Sequence, residues 1–273
     1  MVKLMLIQGD CLKVLPELPD ESVDLVVSSP PYNIGIDYGV YKDNLSFQEY
    51  FDFMKKALAE IYRILKPDGR VAWNVLIEVN KPFRYSPFAE FYKLFLNVGF
   101  NYFGTILWLD ETRVKLTAWG SFASPSQPYI YTPHEVILLF YKDSPKKLSN
   151  KEKDIKENEF VDWARGTWKI KPENNPLTPC AFPVELPKRL IKLLTYKTDT
   201  VLDPFLGSGT TMKACLELNR NCIGIEINPE YVKVAKKRLN WGSSLGDVEF
   251  EFYTEEEFLK KVDKFHIYHI EER

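Results

Sequence analysis

Asp199-Thr200-Val201-Leu202-Asp203-Pro204-Phe205-Leu206-Gly207-Ser208-Gly209-Thr210 reads as a short strand, a glycine turn and the opening of a helix that runs over Thr211 to Leu218. A glycine turn in that setting lets the backbone approach a ligand closely. A dinucleotide fingerprint would place a third glycine three residues after Gly209, where Met212 stands, and a P-loop would follow Gly209 with lysine, where Thr210 stands. NAD and ATP are therefore disfavoured. The next apolar run, Cys222-Ile223-Gly224-Ile225, ends on Glu226. A carboxylate at that strand end can take both hydroxyls of a ribose. Strand, loop, helix, strand and terminal carboxylate in this order predict a doubly wound, mostly parallel α/β sheet with Rossmann-like topology.

A second motif stands near the N-terminus. The apolar run Val23-Asp24-Leu25-Val26-Val27 leads into Ser28-Ser29-Pro30-Pro31-Tyr32. Two prolines fix φ and remove two backbone donors, so the turn displays acceptors. Ser29 offers a side-chain oxygen, Pro30 a carbonyl, Pro31 rigidity, and Tyr32 a ring face on which a flat group can stack. That chemistry suits an aromatic amino group. Its nitrogen is a poor nucleophile until both hydrogens are accepted by neighbouring oxygens. A proline turn ending a buried strand is the plainer reading of Pro-Pro-Tyr alone.

Taken together, Ser-Pro-Pro-Tyr at 29–32, Asp-Pro-Phe-Leu-Gly-Ser-Gly-Thr at 203–210 and Gly-Ile-Glu at 224–226 resemble the DNA amino-methyltransferases, which modify cytosine N4 or adenine N6. Ala181-Phe182-Pro183 and Lys66-Pro67-Asp68-Gly69 are similar to further family segments, and the resemblance covers about residues 1–240. The catalytic motif precedes the donor loop, as in the β-group, which implies a circularly permuted fold. The resemblance implies S-adenosylmethionine as cofactor and duplex DNA as substrate, with base flipping and direct in-line transfer. It places Asp10, Cys11, Phe182, Asp203, Phe205, Gly207, Gly209, Thr210 and Glu226 around the cofactor. Asp203 would face its ammonium and Asp10 its adenine, with an N-cap role for Asp10 equally in view. Serine before Pro-Pro-Tyr goes mostly with cytosine N4 in that family, so cytosine N4 is expected, with adenine N6 as the alternative. RNA or protein glutamine as substrate, and a silent binding module, fit the motif order or its intact residues less well. A cognate restriction endonuclease and a homodimer are partners that the resemblance leaves open.

The rest of the chain bounds this reading. A formal net charge of −2 tells against a large nonspecific phosphate footprint, though positive charge can be local. Lys142 to Lys171 is the lysine-rich stretch. Its Lys146, Lys147, Trp163, Arg165, Trp168 and Lys169, with Trp119 upstream, are the candidate DNA contacts, and a solvated segment is the competing reading. Four scattered cysteines without Cys-x-x-Cys suggest reduced thiols in a cytoplasmic protein, with no cysteine nucleophile; Cys180 follows Pro179 but has no other mark of one. His266 and His269 have no third candidate ligand nearby, so no metal is expected. No apolar run approaches the ~18 residues of a membrane span. Abundant Lys, Glu and Ile with scarce Gln lean toward a thermophile.

The chain divides into a catalytic half (1–109), an active-site loop with the last strands and a compact recognition region (110–179), a donor half (180–240) and an appendage (241–273). Ser46 to Leu65 is the clearest helix, with a Ser46–Glu49 capping box and a stripe of Phe47, Phe51, Met54, Leu58, Ile61 and Leu65, stopped by Pro67-Asp68-Gly69. Val248, Phe250 and Phe252 alternate with Glu249 and Glu251 as a half-buried strand, Thr254 and Glu257 can cap a short helix, and Phe265 to Ile270 reads as a strand. This appendage can extend the sheet, support a dimer or merely decorate the fold.

Overall fold

A computed structural model describes residues 1–80, 83–109, 120–130, 132, 134–172, 179, 181–242 and 247–262. Among these, the strands are β1 (Val2–Gln8), β2 (Val23–Ser28), β3 (Leu65–Leu76), β4 (Asn101–Leu109), β5 (His134–Tyr141), β6 (Thr167–Lys169), β7 (Thr200–Asp203), β8 (Asn221–Glu226) and β9 (Val248–Thr254). They form one sheet in the order β6-β4-β5-β3-β2-β7-β8-β1-β9. β5 runs against its neighbours β3 and β4, and the other described pairings are parallel. The helices are α1 (Cys11–Val14), α2 (Phe47–Ile64), α3 (Pro87–Val98), α4 (Glu157–Trp163), α5 (Glu185–Leu194), α6 (Thr210–Glu217) and α7 (Pro229–Arg238).

The sheet buries both faces, as a parallel sheet must. One face packs Leu186, Leu190 and Ile191 of α5, Met212 and Cys215 of α6, and Val232 and Ala235 of α7. The other packs Cys11 and Val14 of α1, Met54, Leu58 and Ile61 of α2, and Phe91 and Phe95 of α3. No helix among the described residues is long and apolar enough to cross a membrane.

The fold is the expected α/β arrangement, with β1 beside β8 although they lie at opposite ends of the chain. From β7 the chain steps through β8, and β1 lies beyond; from β2 it steps the other way to β3. Strand order therefore reverses between β2 and β7, where a doubly wound sheet opens a crevice at its carboxyl edge.

Several local expectations shift. The Ser46–Glu49 capping box forms, but Tyr50 is buried where Phe51 was expected, and α2 ends at Ile64. Pro67-Asp68-Gly69 is a bulge inside β3 rather than a stop. Val23 pairs with Leu65, while Leu25 pairs with Arg70. The bulge is stitched down, since the Pro67 carbonyl accepts from Asp143 and Ser144, and Asp68 accepts from the Leu148 amide. β9 lies parallel to β1 at the sheet edge, and residues 255–262 are helical after the Thr254–Glu257 cap. His266, His269 and the strand expected at Phe265 to Ile270 lie outside the described residues.

Candidate active site

The crevice between β2 and β7 is a cavity of about 340 Å³. That lies in the roughly 300–1,000 Å³ range of small-molecule sites. Its walls come from carboxyl ends of strands: Gly9 to Leu12 after β1, Ser29 to Tyr32 after β2, Asp203 to Ser208 after β7, and Ile225 to Asn228 at and beyond the end of β8. The two motifs, far apart in sequence, thus share one space.

Ser29, Pro30, Pro31 and Tyr32 all line it. The Ser29 hydroxyl donates to the Tyr32 hydroxyl at 2.8 Å, and Tyr32 donates to Glu135 Oε2 at 2.9 Å. Asn74 Nδ2 also reaches Glu135 Oε2 at 2.7 Å and the Tyr32 oxygen at 3.2 Å. The direction of this chain matters. Ser29 spends its proton on Tyr32, so its oxygen keeps lone pairs for an incoming donor. The Tyr50 hydroxyl donates to the Pro31 carbonyl at 2.7 Å and stiffens the turn. Tyr32 is only 6% exposed, with its hydroxyl fully engaged, so the ring is held more firmly than a simple stacking platform.

Asp203 is buried, and its carboxylate organises the glycine loop. Oδ1 accepts from Ser28 Oγ at 2.7 Å and from the Phe205 amide at 3.1 Å, and Oδ2 accepts from Thr211 Oγ1 at 2.6 Å. Burial pushes its pKa up to about 6, against the pull of these donors. With Thr211 as its donor, Oδ2 has a second lone pair. Glu226 accepts the Gly207 amide on Oε2 at 2.7 Å and the Asn228 amide on Oε1 at 2.8 Å. Burial raises its pKa to about 7. The Ile227 amide lies close enough to the same carboxylate to act on it as well, so Glu226 is an acceptor at the cavity end of β8. Gly207 sits at φ +56°, a left-handed conformation that costs glycine little and aims its amide at Glu226.

Asp10 caps α1 by accepting from the Leu12 amide at 2.9 Å, and it also lines the cavity. Cys11, Phe182, Phe205 and Thr210 line it too. The Cys11 thiol is buried, and burial pushes its pKa well up, so it packs rather than reacts. Phe205 packs edge-on to Phe53 and Trp73. Gly209 departs from expectation. It is not among the cavity residues, and a Cβ there would lie 2.9 Å from that of Ala235, so it serves the seating of α6 on α7.

Motif reading missed part of the site. Tyr38 and Tyr41 line the cavity from the loop after Tyr32. That loop is gathered by Asp43, which accepts the amides of Asn33, Ile34, Gly35 and Ile36. Asn228 clips it to the donor side through the Tyr38 carbonyl at 2.7 Å. Asn74 and Glu135 were missed as well. Their signal was a polar side chain interrupting or heading an otherwise apolar strand.

The lysine-rich segment is placed differently from expectation. Trp168 is 1% exposed inside the core, and its indole donates to the Trp163 carbonyl at 2.9 Å. Trp163 packs on the same core, with Arg189 and Lys192 over its ring. Lys147 is buried beside Asp68 and donates to the Asp24 carbonyl. Lys151, Glu152, Asp154 and Glu159 continue the strap through ion pairs with Asp199, Lys197, Arg220 and Lys192. Asp24, Asp199 and Arg220 mark the amino ends of β2, β7 and β8, so the strap crosses the edge opposite the cavity. Lys146 sits on that edge with its side chain exposed. Trp168, Trp163 and Lys147 are therefore committed to the interior rather than offered at the surface, and Lys146 faces solvent on the edge away from the cavity. The stretch closes the core because its tryptophans and ion pairs are satisfied internally. Arg165 is exposed beside Asp162, and Lys169 is exposed in register with Leu109 at the carboxyl end of β4. Trp119 and Cys180 lie outside the described residues.

Residues 23–237 match the family model described as DNA methylase, of the N6/N4 type. The chain belongs to that family. Over 171 residues it is 43% identical to the type II methyltransferase M.MjaVI of Methanocaldococcus jannaschii, covering 63% of this chain and 87% of that protein. Over 250 residues it is 33% identical to the type II methyltransferase M.HpaI of Haemophilus parainfluenzae, covering 86% of this chain and 74% of that one. Its fold also superposes with a TM-score of 0.72 on a DNA modification methylase of Thermus thermophilus complexed with S-adenosyl-L-methionine, at 28% identity over 91% of this chain and 98% of that one.

Proposed function

We propose that this DNA methyltransferase methylates cytosine at N4 in duplex DNA, with S-adenosylmethionine as donor. The observation that carries the reading is the Ser29–Tyr32–Glu135 chain, which turns an uncharged serine oxygen into an acceptor on the cavity wall. A flipped base would present its amino group there. Ser29 and the Pro30 carbonyl would accept its two hydrogens, which localises the nitrogen lone pair. The donor supplies an electrophilic methyl group when bound. Glu226 would hold its ribose hydroxyls, Asp10 its adenine amino group, and Asp203 its ammonium through the remaining position on Oδ2. Catalysis of this kind is positioning plus hydrogen bonding, and no covalent adduct with the protein is required.

We assign phosphate contact to the exposed Lys169 at the end of β6 and to the exposed Arg165 in the turn before it. A restriction endonuclease reading the same site is the partner we propose, in line with the type II relatives. The test is nucleoside analysis of duplex DNA treated with the enzyme and labelled donor. N4-methylcytosine is the expected product. N6-methyladenine alone would overturn the choice of base, and label in RNA or protein instead of DNA would overturn the substrate.

A further inference from the structure

Gly9 and Asp10 form the turn that carries β1 into the donor cavity, and this turn is held from both sides. On one side the Gly9 amide donates to the Glu226 carbonyl at 3.0 Å. On the other, the Asp10 amide donates to Glu255 Oε2 at 2.9 Å. Glu255 follows the last residue of β9, whose Thr254 pairs with Gln8. Its second oxygen takes Lys13 Nζ at 2.7 Å. Lys13 and the Asp10 amide together hold its carboxyl below the usual carboxylate range. Position 9 has to be small for this to happen, because a Cβ there would lie 2.9 Å from Glu255 Cβ. The turn and the carboxylate are thus fitted to each other.

Asp10 has one side-chain oxygen committed to the Leu12 amide, and Glu255 fixes its backbone. Its backbone amide is therefore held by a residue 245 positions away in sequence. Both Asp10 and Glu255 lie outside residues 23–237, the part that matches the family model.

We infer that Glu255 is a positioning residue for the methyl-donor site. Through the Asp10 amide it holds the Asp10 carboxylate against the donor's adenine, which makes β9 and the helical residues 255–262 a working part of the transferase. The inference rests on the donor site described under Proposed function. A carboxylate-to-amide bond is charge-assisted, and displacing a binding group by even ~1 Å is costly, so a loss on the order of tenfold in donor affinity is expected.

The test is calorimetric binding of S-adenosylmethionine to the full chain, with steady-state rates at saturating donor. Glu255→Ala should raise Kd about tenfold and leave kcat within about twofold. Glu255→Gln should restore most of the affinity, because its amide oxygen still accepts from Asp10. Lys13→Met, which removes only the ion pair, should bind donor within about twofold of wild type. Asp10→Ala and Asp10→Ala/Glu255→Ala should have the same Kd if the effect passes through Asp10. Unchanged affinity in Glu255→Ala, with Asp10→Ala weakened, would overturn the positioning role alone. Parallel loss of kcat, affinity and melting temperature without rescue by Gln would reduce Glu255 to general packing. Unchanged affinity in Asp10→Ala would overturn the donor-site assignment and the inference with it.

Discussion

If Glu226 holds the donor's ribose as proposed, donor binding should depend on pH. Burial raises its pKa to about 7, so the protonated form persists well above the usual carboxylate range. In the proposed site the ionised form accepts from the ribose, whereas protonation turns one oxygen into a donor and removes an acceptor. Affinity is then full above pH 7 and lost as pH falls. With one proton competing, apparent Kd scales as 1 + 10^(pKa − pH), which is roughly 1.1-fold at pH 8, 11-fold at pH 6 and 100-fold at pH 5. Asp203, raised to about 6, steepens the fall in the same direction below its own value. Folding responds with the opposite sign. A carboxyl with a raised folded pKa binds its proton more tightly in the native state, so these two groups favour folding as pH falls toward their ordinary values. Weak binding at pH 6 is therefore not traceable to their unfolding effect. Calorimetric titration with S-adenosylmethionine from pH 5.5 to 8.5 would measure it, with log Kd rising by about one per pH unit below 7. Glu226→Gln should bind more weakly at pH 8 and lose the pH dependence above the range of Asp203. A flat wild-type profile, or a Gln variant that keeps the full slope between pH 6 and 7, would refute the assignment.

Three further expectations follow from the geometry. Ser29→Ala should lower kcat by about 10- to 100-fold, the worth of one hydrogen bond made in the transition state, with donor Kd unchanged; equal losses in both would contradict its role. Trp168→Ala should cost about 3–5 kcal/mol in urea unfolding, because the indole is fully buried; a fully stable variant with impaired DNA binding would return Trp168 to the DNA surface. Gly224→Ala should destabilise by about 1–3 kcal/mol, since the new Cβ would meet Leu206 Cδ2 at 2.6 Å, and should weaken donor binding by displacing the glycine loop; wild-type melting and affinity together would exclude this packing account.

While the permuted order came from the family resemblance, motif, spacing and period were enough to read the α/β class, the two cavity motifs, and the capping boxes at Ser46 and Thr254. Each of these depends on residues close together in the chain, where turn chemistry and periodicity act locally. The meeting of Ser29 with Asp203, Glu226 and Asp10 in one crevice follows from strand order, which the motifs implied only through resemblance. Four features depended on packing across long separations. Asn74 and Glu135 became partners of Tyr32 only because parallel β3 and antiparallel β5 bring them beside it. Asp43 gathers a loop whose amides are anonymous in sequence. Glu255 reaches Asp10 only once β9 adds to the sheet. Lys147, Trp163 and Trp168 looked like a surface for nucleic acid because composition reports charge and aromaticity, not direction. Whether a lysine meets a phosphate or a buried aspartate is decided by which side of the sheet its segment crosses, and that is a property of the tertiary fold.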